Sequence, residues 1–367
     1  MRILHYHPAN DATVNNYIRL LTEQMDPEGE NHTATEAHQA RTLLLHGNYD
    51  LLNLHGCWQN SARGVVKLAL SQGARLVVTP HGQLEPWVRS ERKWKEKIPK
   101  QLLYQRDIIS KAYAIITQGR MEEECMQKLR WNSRCVIIRN CLITDTITPR
   151  EMAAQTLALY RRVMDSNPWE LMTDDTRQAL LHILKAGNTG DARWLGDEGE
   201  TDRSCEQNIQ WRPLLNYARL EEITPTLERG LRVLNLDPPL MDTDRPDTFL
   251  PDGYTAPQSI ESVIGMQHAN ENERLLVTFR HLRKLAAQRR LAIRHLVELD
   301  RELRSHGCQE QALHDTLDER HLLKFAQRMM QLLNRLTGLT EGFMPVAPLA
   351  DRATRRLQRQ VEERLKI

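Results

Sequence analysis

Five short apolar runs, at residues 2–6, 50–54, 75–79, 112–117 and 134–138, punctuate the first 140 positions. Amphipathic stretches of helical spacing separate them, at 13–25, 37–46, 60–72, 96–111 and 120–130. Strand-length runs alternating with helix-length segments predict crossover units and hence a parallel sheet, with right-handed connections. A poorer strand pattern lies near 31–35, and Gly73 is placed to stop the third helix. After residue 145 the alternation ceases. No period-two or β-branched run follows, only three-and-four spacing of Leu, Ile and Met. The expected fold class is therefore an α/β Rossmann-like amino-terminal domain with a parallel sheet, followed by an all-helical carboxyl-terminal region.

The later helices are expected at 149–164, opened by Pro149 in its first turn, at 169–186 and at 213–234. Trp194, Trp211 and Tyr217 read as packing between them. Residues 237–258 carry five prolines and no periodicity, the composition of an extended linker. Beyond it the pattern predicts long helices over about 272–305 and 309–336 and a last one over 350–365, antiparallel in a hairpin or small bundle. The domain reading is thus 1–145, 146–236, a linker at 237–258, and 259–367.

Two strand ends carry the chemistry. Leu51-Leu52-Asn53-Leu54 runs into His55-Gly56-Cys57-Trp58, and Leu76-Val77-Val78 runs into Thr79-Pro80-His81-Gly82-Gln83-Leu84-Glu85-Pro86-Trp87. Strand carboxyl ends are where open parallel sheets bind ligands, and glycine there lets backbone approach closely. A tryptophan facing solvent beside such a turn suits stacking on a sugar or a base. A bland reading, in which each histidine is turn chemistry capping the next helix, stands beside the functional one.

These residues resemble the amino-terminal domain of GT-B glycosyltransferases of the family 4 type. The nine residues Thr79–Trp87 are similar to that family's signature almost letter for letter, and the segment Asp50–Trp58 and the exit strand ending at Asn140 fall in the expected order. The resemblance implies His81 as the catalytic candidate, near the transferred sugar. It implies His55, Trp58, Glu85, Trp87 and Asn140 as substrate-binding. It implies no cofactor beyond a nucleotide sugar as co-substrate. Departures are equally plain. The turn after the first strand, Pro8–Thr13, has no glycine, Asn140 is followed by Cys141, and no second donor-binding domain is legible. Two functions stay open: transfer of a sugar to a glycan or lipid-linked acceptor, or non-catalytic acceptor binding or scaffolding by a retained amino-terminal domain.

Net charge is +5 over residues 1–140 (19 basic against 14 acidic), −9 over 141–264 (12 against 21) and +6 over 265–367 (19 against 13). A basic amino-terminal part, with Lys93, Lys95, Lys97 and Lys100 on one stretch, favours an anionic ligand or membrane surface, or is a wet helix face. The arginine-rich run 280–304 reads as a solvated or partner-facing helix. Acidic residues interleave and aromatics are nearly absent, so nucleic acid is not expected as a partner. His5 and His7 share a strand face, but no carboxylate or cysteine neighbour makes a metal site of them. Six scattered cysteines without a Cys-x-x-Cys pair suggest reduced thiols. With no apolar run of membrane length, the expectation is a cytoplasmic protein with peripheral contact to the inner membrane. Partners expected are a sugar acceptor or glycan intermediate and, through the carboxyl-terminal helices, another protein.

Overall fold

A computed structural model of the chain describes residues 1–25, 30–85, 104–191, 208–240, 247–265, 270–305 and 307–367. Trp87, Trp194 and the four lysines between 93 and 100 lie outside the described residues. Two compact units divide at Ser166/Asn167.

The first unit is a six-stranded parallel sheet. Its strands are β1 (Arg2–Tyr6), β2 (Glu30–Ala34), β3 (Leu51–His55), β4 (Arg75–Thr79), β5 (Ala114–Thr117) and β6 (Cys135–Ile137), in the order β2-β1-β3-β4-β5-β6. Between them run α1 (Ala12–Gln24), α2 (Ala37–His46), α3 (Ser61–Ser71), α4 (Arg106–Lys111) and α5 (Arg120–Leu129). The chain leaves β1 in one direction to β2 and in the other to β3, so the topological switch point lies between β1 and β3.

Alternation along the strands separates the two faces. Leu4, Tyr6, Leu52, Leu54, Leu76 and Val78 join Ala40 and Leu44 of α2 and Val65, Val66 and Ala69 of α3 in one apolar core. The opposite face carries His5, Asn53, His55 and Thr79, all wholly buried. Helix α6 (Pro149–Asp165) packs with α1, and Tyr160 of α6 accepts a hydrogen bond from Asn53 Nδ2 at 2.6 Å. The first unit therefore reaches beyond residue 145. The capping box Thr148/Glu151, with Pro149 in the first turn, starts that helix.

The second unit is helical throughout its described residues: α7 (Pro168–Leu171), α8 (Asp174–Thr189), α9 (Trp211–Leu220), α10 (Thr224–Leu234), α11 (Ile260–Ile264), α12 (Glu271–Ala287), α13 (Ile293–Ser305), α14 (Glu310–Glu319), α15 (Leu323–Leu336) and α16 (Arg352–Glu362). A single apolar core runs through it from Met172 to Leu365 and includes Tyr217, with Trp211 packed at its edge. A buried ion pair joins Glu221 to Arg364 at 2.9 Å across 143 residues of sequence. The proline-rich stretch has no helix or strand among its described residues through Gln258, yet Thr248 and Phe249 are buried and Tyr254 donates to Leu220 O.

The long helices expected from spacing are each two. The chain turns between α12 and α13 at Arg289, and between α14 and α15 at His321, both in the left-handed region. Arg290 N bonds back to Leu285 O, and Leu322 N to Leu317 O. Glu222 and Asn235 end α9 and α10 the same way, with Ile223 N to Ala218 O and Leu236 N to Leu231 O. These are Schellman closures, normally a glycine's task. Here no glycine announces them, and the apolar spacing runs on through the bend.

Helices α8 and α10 make the closest crossing in the unit. A Cβ on Gly187 would stand 2.1 Å from Thr226 O, and one on Gly230 would stand 1.9 Å from Ile183 O. Backbone meets backbone there, so no rotamer can relieve a clash. Gly187→Ala and Gly230→Ala should each destabilise the chain by about 2–3 kcal/mol, read as a lowered urea midpoint with an unchanged slope.

Candidate functional site

The two strand-to-His-Gly junctions meet. Gly56 and Gly82 follow their histidines at φ +88° and +77°, and His81 itself sits at φ +54°. A side-chain-bearing residue held in that region marks a position the surroundings over-determine. Gly56 N donates to Thr79 O at 2.8 Å, so the first turn is hung directly on the neighbouring strand.

Around these turns the side chains form a hydrogen-bonded row. His5 Nδ1 lies 3.0 Å from His55 Nε2, His55 Nδ1 lies 2.9 Å from His81 Nε2, and His81 Nδ1 lies 2.8 Å from Gln118 Nε2. The other end is His5 Nε2 to Asn31 Oδ1 at 3.4 Å. Both ends fix the same polarity. The Gln118 amide nitrogen can only donate, so His81 accepts at Nδ1 and carries its proton on Nε2. That proton goes to His55 Nδ1, the His55 proton to His5 Nδ1, and the His5 proton to the Asn31 carbonyl. All three rings are neutral and share one tautomer.

The environment enforces neutrality. Burial pulls His5 down to about 4, against a small opposing contribution from Asn31. Burial also holds His55 well below 6.5, and proximity to His81, His5 and His7 adds to it. His81 is brought down to about 3, again by burial first and then by His7. Tyr17 of α1 sets its ring edge-on to His81, with centroids 4.9 Å apart. A second polar string lies beside the row: Thr79 Oγ1 donates to Asn53 Oδ1 at 3.0 Å, and Asn53 to Tyr160.

His7, two residues beyond His5, is oriented separately. Asn15 donates through Nδ2 to Asn10 Oδ1 and turns its own oxygen to His7 Nδ1 at 2.9 Å. The His7 proton is thereby placed on Nδ1. Its Nε2 lone pair is buried and has no hydrogen-bond partner among the described residues.

Glu122, wholly buried in the first turn of α5, accepts from Gln118 N at 3.2 Å. Burial raises its carboxyl to about 7, despite the Gln118 amide, and the Glu85 carboxylate adds to the rise. Glu85 is itself raised by burial. Acid-base chemistry near neutrality needs a carboxyl of that kind. Among the described residues no group of three or more His, Cys, Asp or Glu side chains is gathered to hold a metal ion.

His55 and His81 come together at the sheet's carboxyl edge, within hydrogen-bond reach. Glu85 stands on the His81 turn, beside Glu122. Trp58 does not face solvent: it is 8% exposed, its indole N–H donates to Gln83 O at 3.0 Å, and its carbonyl accepts from Tyr104. The left-handed backbone at Trp58, φ +70°, swings the ring inward. Asn140 is buried, and its Oδ1 accepts from Leu142 N, closing the turn after β6. Trp87 is outside the described residues. Reading the sequence did not identify Asn31, Gln118, Glu122 or Tyr160. Only Glu122 had a visible signal, an acidic residue in a helix's first turn two strands along.

Compared with known proteins, the chain matches no protein family, no curated protein and no solved structure.

Two measurements check the row. Histidine ring nitrogen shifts should report Nε2–H for His5, His55 and His81, but Nδ1–H for His7. Stability should depend on pH in a definite sense. An unfolded histidine binds a proton near 6.5, whereas folded His5 does so only near 4. The row's contribution is therefore full above about pH 6.5 and is lost as pH falls through the folded values. Between neutrality and about pH 5 the loss from His5 alone is about 2 kcal/mol, measurable by urea unfolding at the two pH values.

Proposed function

We propose that the first unit binds the hydroxyl-rich end of a sugar acceptor in glycan assembly. In this reading the unit is related to the acceptor-side domain of GT-B glycosyltransferases of the family 4 type, and the chain by itself does not complete a donor site. The observation that carries it is the neutral row at the switch point of a Rossmann-like sheet. Uncharged imidazole and amide groups hydrogen-bond hydroxyls without demanding a counter-charge, which suits a saccharide better than a phosphate. The row comes toward the surface at its His81–Gln118 end, where His81, Gly82, Gln83, Glu85 and Gln118 are all part-exposed. Loop 8–11 follows β1 at the same carboxyl edge and carries Asn10 and Asp11.

The helical second unit supports the same side of the choice. Transfer from a nucleotide sugar needs a cradle for the leaving diphosphate. A glycine turn opening a helix beside a strand is the usual provider, and no strand follows Ile137 among the described residues. The transferase reading is favoured by one observation, the Glu122 carboxyl near neutrality beside the His81 turn. In that reading Glu122, or His81 after releasing Gln118, would take the acceptor proton.

The two readings part in a titration. Calorimetry of the full chain against UDP- and GDP-linked hexoses should show no saturable heat, while saturation-transfer NMR should detect contact with neutral oligosaccharides. Tight one-to-one binding of a nucleotide sugar would restore the transferase, and silence toward every saccharide would remove the acceptor reading. His81→Ala should weaken the saccharide signal at least tenfold. Since it also unpairs His55 and Gln118, it should cost about 1–3 kcal/mol of stability, checked in the same preparations by urea unfolding.

A further inference from the structure

Four arginines of the run 280–304 are fastened within the unit, while Arg280, Lys284, Arg289 and Arg290 are exposed. Arg294 pairs with Glu298 at 2.8 Å, Arg304 with Asp300 at 2.6 Å, Arg301 donates to Thr226 and Arg283 to His321 O. A clustered set of arginines without such contacts lies on α16.

Arg352, Arg355, Arg356 and Arg359 stand at i, i+3, i+4 and i+7, one face of that helix. All four are exposed, and together they line a surface hollow of about 390 Å³. None has an ion pair or hydrogen bond through its guanidinium among the described residues, whereas their neighbours Arg328 and Arg364 are paired with Asp351 and Glu221. The opposite face is anchored, with Thr354 and Val361 buried and Leu357 packed on the core.

Asp351 stands at i,i+4 to Arg355, and Glu362 and Glu363 follow Arg359 at i+3 and i+4, but the arginines of the face also act on one another. The like charges repel at i,i+3 and i,i+4, and the first of them stand at the positive end of the helix dipole. The helix holds because its start is pinned by the Asp351/Thr354 capping box and the bidentate contact of Arg328 with Asp351. An external anion would attract each arginine of the face and offset the repulsion between them.

We propose that the arginine face of α16 is a docking surface for an anionic phospholipid bilayer, held by headgroup phosphates. Guanidinium forks pair with phosphate in a bidentate manner, and mobile headgroups can meet four of them along about 10 Å of helix without a preset geometry. A protein partner would require an apolar centre to the interface, and no large hydrophobic side chain is exposed on this helix. Single-stranded nucleic acid would require stacking aromatics among the basic residues, and α16 has none.

The test is co-sedimentation of the full chain with phosphatidylcholine vesicles, with and without phosphatidylglycerol. Binding should need the anionic lipid and fall as salt rises. The triple variant Arg355→Gln/Arg356→Gln/Arg359→Gln should lower the partition about a hundredfold, at about fivefold per charge removed, and Arg356→Gln alone about fivefold. The corresponding triple lysine variant should retain most of the binding. The urea midpoint of the glutamine variant should hold or rise as repulsion is relieved, and a fall would contradict the unneutralised state of the face. Equal binding to neutral vesicles, full binding by the glutamine variant, or capture of an oligonucleotide or polyglutamate with vesicles ignored would overturn the proposal.

Discussion

A row of side-chain hydrogen bonds runs obliquely across the sheet to its carboxyl edge, in sheet order: Asn31 after β2's start, His5 on β1, His55 on β3, His81 beyond β4 and Gln118 beyond β5. Burying these polar groups is tolerable only if each is satisfied, and three imidazoles in series have one arrangement that does so. That requirement sets the left-handed turn at His81, the glycines after His55 and His81 and the placement of Tyr17 and Tyr160 over the row. It also makes the functional reading a matter of neutral hydrogen bonding rather than of charge.

The two halves of the chain solve burial differently. On one face of the sheet the first unit is an ordinary apolar core under α2 and α3. On the other, α1 and α6 cover a polar layer. The second unit has an apolar core, and among its described residues buried carboxylates are completed by arginines, as at Asp300–Arg304 and Glu221–Arg364. Four exposed arginines gather on one face of its last helix.

Strand positions were legible because fully buried parallel strands are continuous apolar runs, and even the weak pattern near 31–35 became β2. The His-Gly junctions were legible because a glycine after a strand end has few uses. What the residues could not reveal was direction: that His55 turns toward both His5 and His81, and that Trp58 turns inward, depend on backbone angles with no sequence mark. The helical region hid its turns for the same reason. Apolar spacing continues through Gln288–Ala292 and through His321, since both flanking helices bury that side. The first domain's end was obscured because α6 looks like its successors, and contacts such as those of Tyr160 and Val163 that attach it to the sheet have no sequence mark.

The four bends at Glu222, Asn235, Arg289 and His321 have a mechanical consequence. A glycine corner can swing, because both halves of the backbone map are open to it. A corner that bears a side chain has one narrow left-handed well and is trapped there by the helix on either side. These bends act as brackets rather than hinges. Helices joined by these four corners are therefore held at fixed angles to one another, and at the Gly187–Gly230 crossing, where backbone meets backbone, sliding is opposed as well.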